Sequence, residues 1–129
     1  MDGLISEKTV DLNRAAGTYD IFTATGGDMV VEWASVYIVV APGGALTSIR
    51  IHTNQTTVYD FLTAAEGAVA GLLVQKTMQP AELGACGKCQ LKSGQKIQVT
   101  IGGGAGGAGT LANLVVKYRP TTVGSGLLL

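Results

Sequence analysis

Charge is scarce in this sequence. Nine Lys and Arg stand against nine Asp and Glu, together 14% of 129 residues, where an average globular protein carries roughly a quarter. With a formal net charge of zero and no basic cluster, the counterion-release term behind most nucleic-acid affinity is missing, which argues against DNA or RNA as a partner. Disorder requires low hydrophobicity with high net charge, and a chain that is 47% hydrophobic with no net charge has neither. Aromatic residues are also scarce, at 5%, and His52 is the one histidine. A hydrolytic triad therefore has a single candidate base, and on a strand's polar face the expectation for that histidine is solvation. The carboxylates are scattered singly, with no EF-hand or paired-acid spacing. The expectation is a non-enzymatic chain with no cofactor and no metal site.

Long apolar runs are missing too. Val36 to Ala41 and Ala68 to Val74 are bounded by Pro42-Gly43-Gly44 and by Glu66 and Lys76, far short of the roughly 20 residues of a spanning helix. The first residues carry Asp2 and Glu7 and no sustained apolar stretch, so they do not read as a secretory signal; synthesis in the cytosol is expected, with no membrane partner. Two cysteines, Cys86 and Cys89, make one Cys-Gly-Lys-Cys, a spacing shared by redox pairs and by half of a zinc site. No further ligands complete a zinc site and no helix follows to make a redox motif. Two free turn thiols, a disulfide and a partial metal site all stay open.

What the chain does have is glycine, 19 residues, and short alternating runs of Val, Ile, Thr and Tyr between turn residues. Helical periodicity is confined to Thr63-Ala64-Ala65-Glu66. Such punctuation predicts an all-β fold: a jelly-roll-like antiparallel β-sandwich, one domain over 1–129, with an N-terminal arm (1–8), a flexible Gly-rich loop and a C-terminal tail (120–129). In Gly17 to Thr25, strict alternation sets Tyr19, Ile21 and Thr23 against Asp20, Phe22 and Ala24. Met29 to Ala41 is apolar on both faces, Met29, Val31, Trp33, Tyr37 and Val39 against Val30, Ala34, Val36, Ile38 and Val40. A strand of that kind is covered on both sides, which makes the first set candidates for burial between subunits. Glu32 is the odd residue on the second face; it calls for a cation such as Arg50 or Arg119, or else marks an exposed strand end. Val69 to Lys76 and Glu82 to Leu91 are expected to hold short strands. Ile97, Val99 and Ile101 are expected inward, as are Ala112, Leu114, Val116 and Tyr118. Between those strands Gly102, Gly104 and Gly107 fit G-x-G-x-x-G, but a strand follows where a nucleotide site needs a helix. The loop is expected to join two neighbouring antiparallel strands and to be floppy. Leu127, Leu128 and Leu129 form an apolar tail expected to order only in an assembly.

Asp11-Leu12-Asn13 leading to Thr18-Tyr19, and Gly26-Gly27-Asp28 before the long apolar strand, give the front half of a recognisable pattern. Leu91-Lys92-Ser93-Gly94-Gln95-Lys96-Ile97-Gln98, a Gly/Ala-rich loop, Thr110-Leu111 and Val115-Val116-Lys117-Tyr118-Arg119-Pro120 give its end. Over most of its length the chain thereby resembles the small head decoration, or cement, proteins of tailed bacteriophages. The resemblance implies a jelly-roll-like sandwich, a small symmetric homo-oligomer (a trimer before a dimer), and binding to the major capsid protein on the outside of the assembled head, which it stabilises against internal pressure. It carries over no catalytic residues, and Cys86, Cys89 and Leu127 to Leu129 have no counterpart in it. Two other readings fit the composition: a phage tail, fibre or head-tail joining subunit, and a carbohydrate-binding sandwich using Trp33, Tyr37, Tyr59 and Tyr118.

Overall fold

The computed structural model describes residues 3–39, 44–56, 58–63, 74–78, 89–121 and 126–129, with backbone alone for Trp33, 74–78 and Cys89. Apart from Thr63, the expected helical turn lies outside these residues, as does Cys86. Among the described residues the chain is all-β and antiparallel. In chain order the strands are β1 (Leu4–Asp11), β2 (Gly17–Thr25), β3 (Met29–Val39), β4 (Ser48–Thr53), β5 (Asp60–Leu62), β6 (Val74–Met78), β7 (Cys89–Leu91), β8 (Lys96–Gly102), β9 (Leu111–Pro120) and β10 (Leu127–Leu128).

They form two five-stranded sheets. The first runs β1-β9-β3-β6, with β7 also on β3; the second runs β10-β2-β8-β4-β5 and curls into a half-barrel. In the first sheet β6 pairs with β3 over Ala34 to Ile38 and β7 pairs with it over Met29 to Val31, so the two short strands share the edge that β9 leaves open. Inward residues of both sheets enter one apolar core, among them Val10, Val36, Leu114 and Val116 from the first and Phe22, Ile49, Ile97 and Val99 from the second. Period-2 alternation explains the regular strands. In β8 Ile97, Val99 and Ile101 are buried, and in β9 Ala112, Leu114, Val116 and Tyr118 are buried.

Bulges interrupt that alternation in β2 and β3, and in β5, where Phe61 is extra between Ile51↔Leu62 and His52↔Asp60. In β2 the register passes from Asp20↔Gln98 to Phe22↔Ile97, leaving Ile21 as an extra residue, and Ile21 and Phe22 are both buried. In β3 it passes from Val31↔Tyr118 to Trp33↔Lys117, leaving Glu32 extra. An extra residue reverses which parity faces the core beyond it. Met29 and Val31 are therefore inward before the bulge, Ala34, Val36 and Ile38 after it, and Tyr37 and Val39 turn outward. The single five-residue face expected from Met29 to Val39 is thus split between two faces of the sheet.

The Gly-rich loop also departs from expectation. β8 and β9 lie in different sheets, so the loop is a crossing between sheets rather than a hairpin. It is tied down along its length: Thr47 N donates to Gly102 O (3.0 Å), Ala45 N to Ala105 O (2.7 Å), Gly106 N to Leu12 O (3.1 Å) and Thr110 N to Gly107 O (3.2 Å). Gly106 is buried, and a Cβ there would lie 2.5 Å from Thr110 Cγ2. Glycine is required at this position by close approach, not for mobility.

Candidate interface surfaces

The ends of the chain are built into the fold at β1 and β10. Leu4 to Asp11 pairs with β9 from Leu4↔Tyr118 to Asp11↔Leu111, so most of the expected N-terminal arm is sheet. In the expected tail, Leu127 and Leu128 pair with Thr25 and Ala24 of β2, and Leu129 exchanges both backbone hydrogen bonds with Thr23 (2.8 and 3.0 Å). A period of two again sets the outcome. Leu128 is 1% exposed and joins the core, while Leu127 and Leu129 are 50% and 60% exposed.

The other side of β10 meets β1. Ser6 Oγ donates to Leu128 O at 2.7 Å, and two positions along β1 Lys8 Nζ donates to Ile21 O at 2.9 Å and lies 5.3 Å from the centroid of the Phe22 ring. Polar residues at inward positions of an edge strand are a device against open-edge pairing. Here they tie the first sheet to the bulge of β2.

The outward side of the first sheet carries the other candidates. Across β1, β9 and β3 the register aligns Ile5, Lys117 and Trp33; Glu7, Val115 and Ser35; Thr9, Asn113 and Tyr37; and Asp11, Leu111 and Val39. Tyr37 is 39% and Ile5 66% exposed, and Val30, Val39, Leu111 and Val115 are half-buried. Asn113 Nδ2 donates to Glu7 Oε1 (3.0 Å) across this face. Of the residues expected between subunits, Tyr37 and Val39 thus lie outward, Trp33 occupies a register position beside Lys117, and Met29 and Val31 belong to the chain's own core. Leu111 and Val115 reach this side by the plain alternation of β9 and Val30 by its place before the bulge; Tyr37 and Val39 join them because the bulge reverses the parity of β3.

Apart from Leu127 and Leu129 at its edge, the outward side of the second sheet is polar. Thr18 Oγ1 and Thr100 Oγ1 are 2.9 Å apart, and Thr100 Oγ1 lies 2.7 Å from His52 Nε2. Contrary to the solvated position expected of it, His52 is buried. Its Nδ1 is 2.9 Å from Thr53 O, and since a carbonyl only accepts, Nδ1 carries the proton in the neutral ring. Next in the sheet, Asp20 takes Gln98 Nε2 and Lys96 Nζ, each at 2.8 Å. The Gln98 bond, then the Lys96 bond, hold its carboxyl below the ordinary aspartate value. Arg50, an expected partner of Glu32, instead forks onto Asp60, and that bond raises the guanidinium above its ordinary value. Among the described residues no group of three or more His, Cys, Asp or Glu is placed to hold a metal ion, and no helix is long and apolar enough to cross a membrane.

No family model matches the chain, and no curated protein matches it. Among solved structures it is similar to a chain of the acidic stable capsid structure of Helicobacter pylori bacteriophage KHP30, with a TM-score of 0.54 and 14% identity, over 100% of this chain and 94% of that one. At that identity the likeness is one of fold.

Proposed function

We propose that this chain is a structural, non-enzymatic virion protein: a capsid decoration, or cement, subunit that binds the major capsid protein on the outside of a tailed-phage head and stabilises the shell. The observation that carries the reading is the end-to-end likeness to a chain of a phage capsid structure. Two antiparallel sheets around one core fit the jelly-roll-like sandwich and single domain that the reading requires. The low charge and the partly apolar outward side of the first sheet suit a symmetric homo-oligomer, trimer or dimer, in which many weak contacts are multiplied by symmetry. Tyr37, Val39 and Trp33, with Leu127 and Leu129, are its contact residues; Met29, Val31 and Leu128 hold β3 and β10 in place from beneath.

Sedimentation with heads assembled from the major capsid protein of the same phage tests the reading. Saturable binding at a fixed ratio to the capsid protein, with a rise in the heads' thermal transition, is expected. A chain that stays in the supernatant at every concentration sinks the decoration role. Light scattering over a dilution series tests the oligomer separately, and a mass that stays monomeric throughout removes it.

A further inference from the structure

β10 fills a slot between strands of different sheets. One wall is β2, where Thr23 exchanges both backbone hydrogen bonds with Leu129 and Thr25 Oγ1 donates to Leu127 O (3.0 Å). The other is β1, where Ser6 Oγ donates to Leu128 O. Leu128 plugs the slot, yet Leu127 and Leu129 on either side of it are left largely in water. The side-chain contacts that hold β10 join residues 102 and 122 positions apart. Contacts so remote along the chain are available in the same form to the Leu127–Leu129 segment of a second copy. Exchange of an identical element between copies breaks and remakes one set of bonds, and is a low-cost route to association. It also brings the two exposed leucines to the boundary between copies, where a neighbour covers them. We propose that the slot between β1 and β2 is a strand acceptor through which copies of this chain exchange their Leu127–Leu129 segments; this rests on the homo-oligomer of the reading above.

Full-length chains test it. One copy carries a benzophenone amino acid in place of Leu127, whose half-exposed side chain leaves room for it, and is co-expressed with an affinity-tagged copy that lacks the photoreactive group. After irradiation the tagged copy is recovered under denaturing conditions. The expected product is a tagged chain of about doubled mass, joined from position 127 of the other copy to its own Gly17–Thr25 segment. A tagged chain recovered alone, or joined only elsewhere, overturns the exchange. The head-binding assay reads a different property. Cross-linking without head binding keeps the exchange and removes decoration, whereas head binding without this cross-link does the reverse.

Discussion

The two sheets contribute alike to the core but treat water differently on their outward sides. On the second sheet, Thr18, Thr100 and His52 form one hydrogen-bonded row, Asp20 is bonded by both Gln98 and Lys96, and Arg50 is bonded to Asp60. On the first, the central rows set Tyr37, Val39, Leu111 and Val115 among Ser35, Thr9 and Asn113, with the Asn113–Glu7 bond crossing between them. Cross-strand pairs stabilise a sheet whether polar or apolar. A polar row that bonds internally is complete in solvent, while half-buried valine and leucine gain from a further cover. From β2 through β4 the second sheet is thus finished by its own side chains; what is left to bury is the outward side of the first sheet and, at the second sheet's edge, Leu127 and Leu129.

Adjacent residues of β9 put that contrast to its severest test. Leu114→Ala, on the inward side, is expected to lower stability by about 2–5 kcal/mol in urea unfolding. Val115→Ser, on the outward side, is expected to lower it by about 0.5 kcal/mol or less. Equal losses would mean that the outward side is already packed within the chain, and the contrast would fail. On the second sheet, Thr100→Val strips the hydroxyl from buried His52 Nε2 and is expected to cost about 1–3 kcal/mol; an unchanged denaturation midpoint would show that the row contributes nothing. Tyr37→Asp should leave thermal unfolding of the single chain within about 0.5 kcal/mol while reducing the mass seen by light scattering to that of one chain. An unaltered oligomer would move the contact away from the first sheet. The smallest effect is in acid. Because the folded-state value of Asp20 is lowered, its contribution is complete above the ordinary aspartate value and is lost as pH falls through the folded one. At 51% side-chain exposure it amounts to about a few tenths of a kcal/mol. Asp20→Asn should remove that part of the acid slope, and an identical slope in both proteins would deny the bond any energetic role.

What the sequence makes legible is the alternation of regular strands. Val10 and Leu12, the inward set of β8 and the inward set of β9 can be read directly, because nothing interrupts their period of two. A bulge has no such signature, since its extra residue is ordinary in composition. In β3 the available signal is Glu32, a charge in mid-strand, and it sits at the extra position. The loop from Gly102 to Gly109 offers another: eight residues are long for a hairpin connection, and their length serves a crossing between sheets. The closure at β10 is legible only in part. An apolar Leu127-Leu128-Leu129 declares a wish for burial, but the partner it meets, a serine at an inward position of β1, depends on three-dimensional placement that local pattern does not encode. The same holds for His52, whose cover comes from strands distant in sequence.

The long pairing of β1 with β9, from Leu4↔Tyr118 inward, also sets a clock. A strand near the start of the chain finds its place only after a loop of more than a hundred residues has closed, and folds dominated by such distant pairings form on the slow end of the scale, in milliseconds to seconds. During that interval β3 and β9 present uncovered apolar sides with few charges to keep chains apart. Yield on refolding should therefore fall steeply with protein concentration and recover on dilution, a kinetic hazard that follows from topology and persists however stable the finished protein is.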